Sequence, residues 1–140
     1  MSKNINELID GLNEDLAHEY GAVVQYTYSA AVVSGLERAS LKPFFESEMN
    51  DELGHALYLS EKIKSLGGTP TVKVAENPQP TKVKDLLEAA LKAEKDTIER
   101  YQTRIKQAQD LGYTELVVTL EDMIADETRH KEEIERLLED

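Results

Sequence analysis

Along most of the chain, apolar residues return every three or four positions, with charged and amide side chains between them. That spacing draws one apolar stripe down an α-helix and does not fit the alternation of a strand. A first stripe runs through Leu8, Leu12, Leu16, Val23, Tyr26, Ala30 and Val33 and closes at Gly35. A second carries Leu41, Phe45, Leu59, Ile63 and Leu66 as far as Gly67-Gly68. The third opens at Thr81, the expected N-cap, and bears Val83, Leu87, Ala90, Ile98, Tyr101, Ile105 and Ala108. It stops at Gly112, a residue suited to a left-handed cap. A fourth follows Thr114, with Leu116, Leu120, Met123, Ile134 and Leu137 facing inward. The pattern predicts an all-α domain over 1–140, with helices at about 4–35, 40–66, 81–111 and 114–138. Its four prolines, at 43, 70, 78 and 80, are expected in a first helical turn or outside the helices.

The connections set the topology. Short links near Gly35 and Gly112 make two antiparallel helical hairpins. Between them lies "GGTPTVKVAENPQP", residues 67–80, which is polar, rich in proline and not helical. Its 14 residues reach at most about 46–50 Å when drawn out, enough to run the length of a helix of about 40 Å. The third helix then starts parallel to the second. A four-helix bundle follows, up-down-down-up, with its long crossover between helices 2 and 3. Within the crossover, "TVKV" is a candidate for a short strand.

Polar residues break each stripe near its middle. "DELGH" at 51–55 and "DETRH" at 126–130 each hold a Glu and a His three apart, on one helical face. The two are offset by 75 residues, and the same offset takes Glu19 to Glu94 and Tyr26 to Tyr101. The chain is an internal repeat in which each hairpin carries one Glu and then a Glu-x-x-His. Glu19 lies between Leu16 and Val23 on the first stripe, and Glu94 lies between Ala90 and Ile98 on the third. Four carboxylates and two imidazoles thus point into one bundle at similar height. Unpaired buried charges cost several kcal/mol each, and like charges raise the cost further. No Lys or Arg falls on the inward stripes at this level. Two divalent cations would balance the four carboxylates, and oxygen and nitrogen donors without sulfur suit Fe, Mn or Zn.

Bulk composition narrows the partners. Net charge is −12, from 28 acidic and 16 basic residues, which argues against nucleic acid and is compatible with attracting cations. There is no Cys, so disulfides and thiolate chemistry are excluded. No apolar run fits a signal peptide or a membrane span, and a cytoplasmic location is expected.

At these residues the chain resembles the ferritin-like di-iron carboxylate family, most closely the bacterioferritins. "LNEDLAHEYGAVVQY" (12–26), "FESEMNDELGHALYLSEKIKSLGG" (45–68) and "IADETRHKEEIERLL" (124–138) carry the likeness. The resemblance implies a centre of two Fe ions, with Mn or Zn as alternatives. Glu19 and Glu94 become terminal ligands, Glu52 and Glu127 bridges, and His55 and His130 one cap to each metal. It also implies ferroxidase chemistry, in which Fe(II) is oxidised by O2 or H2O2 for iron storage or detoxification. Tyr26 matches the family's tyrosine beside the site and is the candidate catalytic residue. Asp51 and Asp126 are candidates to orient the histidines across the bundle. Three departures qualify the likeness. Leu53 stands where the family has its haem Met, so no haem is expected. Ser47 replaces a His that leads iron inward. The chain ends ten residues after His130, without the extra helix of large shells, so a homo-oligomer of at least a dimer is expected and not necessarily a closed cage. The rival readings are a rubrerythrin-like peroxide reductase, against which Thr97 stands where that family adds a carboxylate, another non-storage di-metal oxidoreductase, and a non-catalytic acidic interaction protein. His18 is read as a surface or interface residue, Tyr20 and Tyr28 as dimer contacts, and Glu48, one turn before Glu52, as solvated charge, with guidance of incoming iron as its alternative.

Overall fold

In the computed structural model, which describes residues 3–139, the apolar stripes become four long helices. They are α1 (Lys3–Val32), α2 (Arg38–Ser65), α3 (Val83–Leu111) and α4 (Thr114–Leu137). No strand occurs among the described residues, so "TVKV" does not pair as one. Gly35 and Gly112 take the positive φ of their turns, 87° and 79°. Arg38 seals the end of α1 by donating to the carbonyls of Val33 (2.7 Å) and Ala30 (3.2 Å).

The order of buried residues along each helix fixes the topology. One apolar cluster takes residues 5–16 of α1, 56–63 of α2, 101–108 of α3 and 116–123 of α4. The other takes residues from Tyr26 on in α1, 41–45 in α2, 86–90 in α3 and Ile134 in α4. Reading from the first cluster to the second, α1 and α4 ascend while α2 and α3 descend. This is the up-down-down-up bundle. Each helix passes through a polar layer between the two clusters.

Three local expectations fail for identifiable reasons. The cap of α3 is Lys82 and not Thr81. Its side chain makes no cap, and Asp85 in the first turn supplies the negative charge a helix start favours. Helix α2 begins at Arg38, two residues early, so Pro43 lies in its second turn and deprives the exposed Ala39 of a carbonyl partner. Leu137 is 39% exposed. Leu138, four residues after Ile134 and closer to its face, packs on the core instead.

The crossover lies along α1. Asn13 donates to the carbonyl of Thr69 (3.1 Å), and the Ala75 N–H donates to the carbonyl of Ala17 (3.0 Å). Asn77 donates to the carbonyl of Gly21 (2.8 Å), and the Tyr28 hydroxyl to that of Pro80 (2.8 Å). Gly21 permits this approach, because a Cβ there would meet the Ala75 carbonyl at 2.8 Å. Tyr28, read as an interface residue, is therefore a tie within the chain.

Candidate metal centre

The polar layer between the two clusters is built from all four helices. Helices α1 and α3 each present one glutamate, Glu19 and Glu94. Helices α2 and α4 each present a Glu-x-x-His pair on one face, Glu52 with His55 and Glu127 with His130. All six residues are more than nine-tenths buried, Glu127 completely. The structure brings the six together. His55 Nδ1 lies 3.6 Å from Glu127, 3.7 Å from Glu52 and 3.8 Å from Glu19. His130 Nδ1 lies 3.3 Å from Glu127 and 3.7 Å from both Glu52 and Glu94. Ligand atoms of Glu19, Glu52, His55 and Glu127 fall within 4.8 Å of one another, as do those of Glu52, Glu94, Glu127 and His130. Two four-residue sets therefore share Glu52 and Glu127.

Hydrogen bonds hold the outer edges of this layer. Tyr26 donates to Glu94 Oε1 at 2.6 Å, and Tyr101 donates to Glu19 Oε1, so each tyrosine reaches the glutamate of the other repeat. The histidines are held across the bundle. His55 Nε2 lies 3.1 Å from Asp126 Oδ2, and His130 Nε2 lies 2.9 Å from Asp51 Oδ2. With the aspartates on the Nε2 side, Nδ1 of each ring faces the centre and offers its lone pair to a metal once it is free of its proton.

The inner edges are not satisfied. Glu19 Oε2, Glu52 Oε1, Glu94 Oε2, both Glu127 oxygens, His55 Nδ1 and His130 Nδ1 are buried without a hydrogen-bond partner. Such groups ordinarily cost about 1–3 kcal/mol each. The titration of the glutamates reflects this. Burial raises Glu19, Glu52 and Glu127 above the ordinary 4.5, and for Glu52 and Glu127 neighbouring carboxylates push further the same way. Burial lowers His130, yet Glu48 and Glu94 together outweigh it and raise the imidazole to about 11. Burial, with the nearby carboxylates adding to it, raises both Tyr26 and Tyr101 well above 10.0, so each remains a proton donor. A buried anionic cluster of this kind fits a pair of cations, and its oxygen and nitrogen donors fit iron, manganese or zinc.

Sequence reasoning missed three residues near the layer. Glu48, read as solvated charge before a role in guiding iron, is 6% exposed, and its Oε2 lies 2.7 Å from His130 Nδ1. Its position one turn before Glu52 was the available signal. Asp15 and Arg104 form a buried pair at 2.7 and 3.0 Å. These two lie one turn from Glu19 and Tyr101, on the same stripes. By contrast, His18 is exposed, as its angle from Glu19 implies, and Tyr20 contacts Ser60 at 3.4 Å.

A profile of the ferritin-like domain matches residues 9–140. The chain belongs to the ferritin-like family. A ferritin-like, diiron-carboxylate protein of Bacillus anthracis is 59% identical and superposes with a TM-score of 0.98, over 99% of this chain and 100% of that one. Bacterioferritin BfrA of Mycobacterium tuberculosis is 28% identical over 129 residues, 91% of this chain and 81% of that protein. The dodecameric thioferritin of Bacteroides fragilis is 27% identical with a TM-score of 0.88, over 96% of this chain and 85% of the other. Within the ferritin-like family this chain stands near the bacterioferritins, and family membership joins its buried Glu and His cluster to iron binding. Among the described residues, no helix is long and apolar enough to cross a membrane.

Proposed function

We propose that Glu19, Glu52, His55, Glu94, Glu127 and His130 hold two metal ions, iron in the cell, and that the protein is a ferroxidase. Fe(II) is its substrate and O2 or H2O2 its oxidant. One observation carries the reading: each of the six residues leaves a coordinating atom buried, unpartnered and turned toward the others. Two divalent ions supply the +4 that four carboxylates need. Iron is favoured over manganese or zinc by the family to which the chain belongs.

Glu19 and Glu94 serve as terminal ligands, Glu52 and Glu127 lie between the two positions, and each histidine offers Nδ1 to one of them. Bound iron supplies one electron per ion, and the carboxylate charge favours the ferric state. Two electrons and two protons convert O2 to H2O2, or H2O2 to two waters. Asp51 and Asp126 hold the imidazole rings in register. Tyr26, 2.6 Å from Glu94, fixes that carboxylate and is the nearest hydroxyl from which a proton or electron can be drawn on its side. Thr97, buried and accepting from Arg100 at 2.9 Å, offers no further carboxylate, which weighs for a ferroxidase over a peroxide reductase. Leu53, 43% exposed, offers no haem ligand, and no haem is proposed. The reading extends to a cytoplasmic homo-oligomer of at least two chains, for iron storage or detoxification.

Anaerobic protein loaded with two equivalents of Fe(II) and mixed with O2 or with H2O2 tests this. Oxidation far faster than that of free Fe(II) is expected, with anomalous scattering at the iron edge from two positions. Fe(II) oxidised no faster than in buffer, or no bound metal, would sink the reading.

A further inference from the structure

We propose that the two metal positions are unequal: Glu48 is an additional carboxylate ligand on the His130 side, and that side takes its metal first. The inference rests on the di-metal reading above and adds a residue and an order of filling.

The internal repeat supplies the ruler. A shift of 75 residues carries Glu19, Tyr26, Asp51, Glu52 and His55 onto Glu94, Tyr101, Asp126, Glu127 and His130. Two of the positions that break the match stand beside the histidines and the aspartates that hold them. Glu48 maps onto Met123, and Gly54 maps onto Arg129. Both breaks push in one direction.

Consider Glu48 first. It is as buried as the proposed ligands, and its Oε2 has no hydrogen-bond partner, although it approaches His130 Nδ1 to 2.7 Å. His130 Nδ1 is likewise without a hydrogen bond. Two buried atoms of ligand type thus converge on one point at the edge of the centre, where a cation could be shared between them. Glu48, Asp51 and His130 also offer ligand atoms within 4.8 Å of one another. The corresponding residue in the other repeat, Met123, is a buried thioether within the apolar core. There the nearest carboxylate to His55 Nδ1 is Glu127 at 3.6 Å.

The second break concerns the outer aspartates. Asp126, which holds His55, is paired with the guanidinium of Arg129. Asp51, which holds His130, has Gly54 at the matching position, with open space where a Cβ would stand. Relative to the His55 side, the His130 side gains one anion (Glu48 for Met123) and lacks one cation (Gly54 for Arg129). At these two positions the difference is two unit charges, and Asp15 with Arg100 and Arg104, whose repeat mates Ala90, Gln25 and Ser29 are uncharged, adds one net positive charge a turn from Glu19 on the His55 side. Arg129 is 66% exposed, so its share is screened by water, and the buried Glu48 dominates. A divalent cation is therefore held more strongly beside His130, and a trivalent one more strongly still.

Redox-inert ions separate this inference from catalysis. Metal-free protein is titrated with Co(II), followed by calorimetry and by the visible Co(II) bands, and crystals grown at one equivalent are measured at the cobalt edge. Two resolved steps are expected, the first tighter by about ten-fold or more, with the one-equivalent ion beside His130 and Glu48. In Glu48→Gln, which keeps the shape, the steps should merge and cobalt should divide between the positions. In Met123→Glu, the weaker position should tighten toward the stronger. Even filling in the unaltered protein, filling of the His55 side first, or an undiminished gap in Glu48→Gln would overturn the proposal while leaving the di-metal reading intact. Failure to bind Co(II) or Zn(II) at either position would end both.

Discussion

Two regions of this bundle bury carboxylates, and they do so in opposite ways. At Asp15, 1% exposed, the charge is met at once by the guanidinium of Arg104, which approaches both carboxylate oxygens and also donates to Gln107 at 3.0 Å. Burial still raises the titration point of Asp15, since desolvation outweighs the guanidinium. The pair is nevertheless complete. Gly11 makes room for it, because a Cβ there would lie 2.1 Å from Arg104 Nη1. One turn along α1, Glu19 joins three other glutamates whose inward oxygens meet no guanidinium and have no hydrogen-bond partner. The fold can neutralise a buried acid from its own side chains and does so where nothing is to be bound. In the central layer it leaves the charge open, and an ion from outside must supply what Arg104 supplies next door.

Several experiments test that contrast. The largest effect is expected from chelation. If metal binds only the folded state, each ion held at 100 times its Kd contributes about 2.7 kcal/mol, so stripping both should lower Tm by on the order of 15 °C in calorimetry. An unchanged Tm would erase the distinction between the regions. Next, Arg104→Met should cost roughly 3–5 kcal/mol in denaturant unfolding by leaving Asp15 buried with only the more distant Arg100, at 3.8 Å, and adding Asp15→Asn should recover most of that. Neither change should alter the number of Co(II) ions bound.

A smaller effect carries the more telling sign. Glu127→Gln should stabilise the metal-free protein by about 1–3 kcal/mol, because it removes one of several mutually repelling charges. The same substitution should weaken metal binding. A loss of stability in the metal-free state would mean that the layer is already neutralised from within.

The last comparison is with pH. Burial raises Glu52, Glu127 and Glu19 above 4.5, and carboxylates raise His130 from 6.5 to about 11. In each case the folded chain holds a proton that the unfolded chain has lost. Stability of the metal-free protein should therefore be greatest near pH 4.5 and fall as pH rises, by about 1.4 kcal/mol per pH unit for each extra proton held. Metal-loaded protein should show the reverse trend on the acid side, where protons displace the ions. Parallel denaturation series with and without Zn(II) would separate the two slopes.

Much of this was legible in the sequence because two periodic signals coincided. The helical stripe showed which faces are buried, and glutamates on the stripe stood out as misfits. The 75-residue offset then tied Glu19 to Glu94 and His55 to His130 without any spatial information. Glu48 escaped because a single glutamate one turn from Glu52 looks the same whether it bends inward or snorkels out. Arg104 escaped for another reason. Its guanidinium crosses to Asp15 over Gly11 on a different helix, and the register between helices is not written in either stripe. The cap at Lys82 and the exposure of Leu137 were missed because helix ends are settled by one or two residues of local geometry.

The division of the apolar core has a mechanical consequence. Each helix is gripped by hydrophobic packing on either side of the polar layer, and across the layer itself little but backbone and a ring of acids joins the two halves. Helices usually loosen from their ends. Here, emptying the centre should soften the waist, so that amides around Glu19, Glu52, Glu94 and Glu127 exchange with solvent before those of the flanking turns. Filling it would lock two half-bundles into one rod.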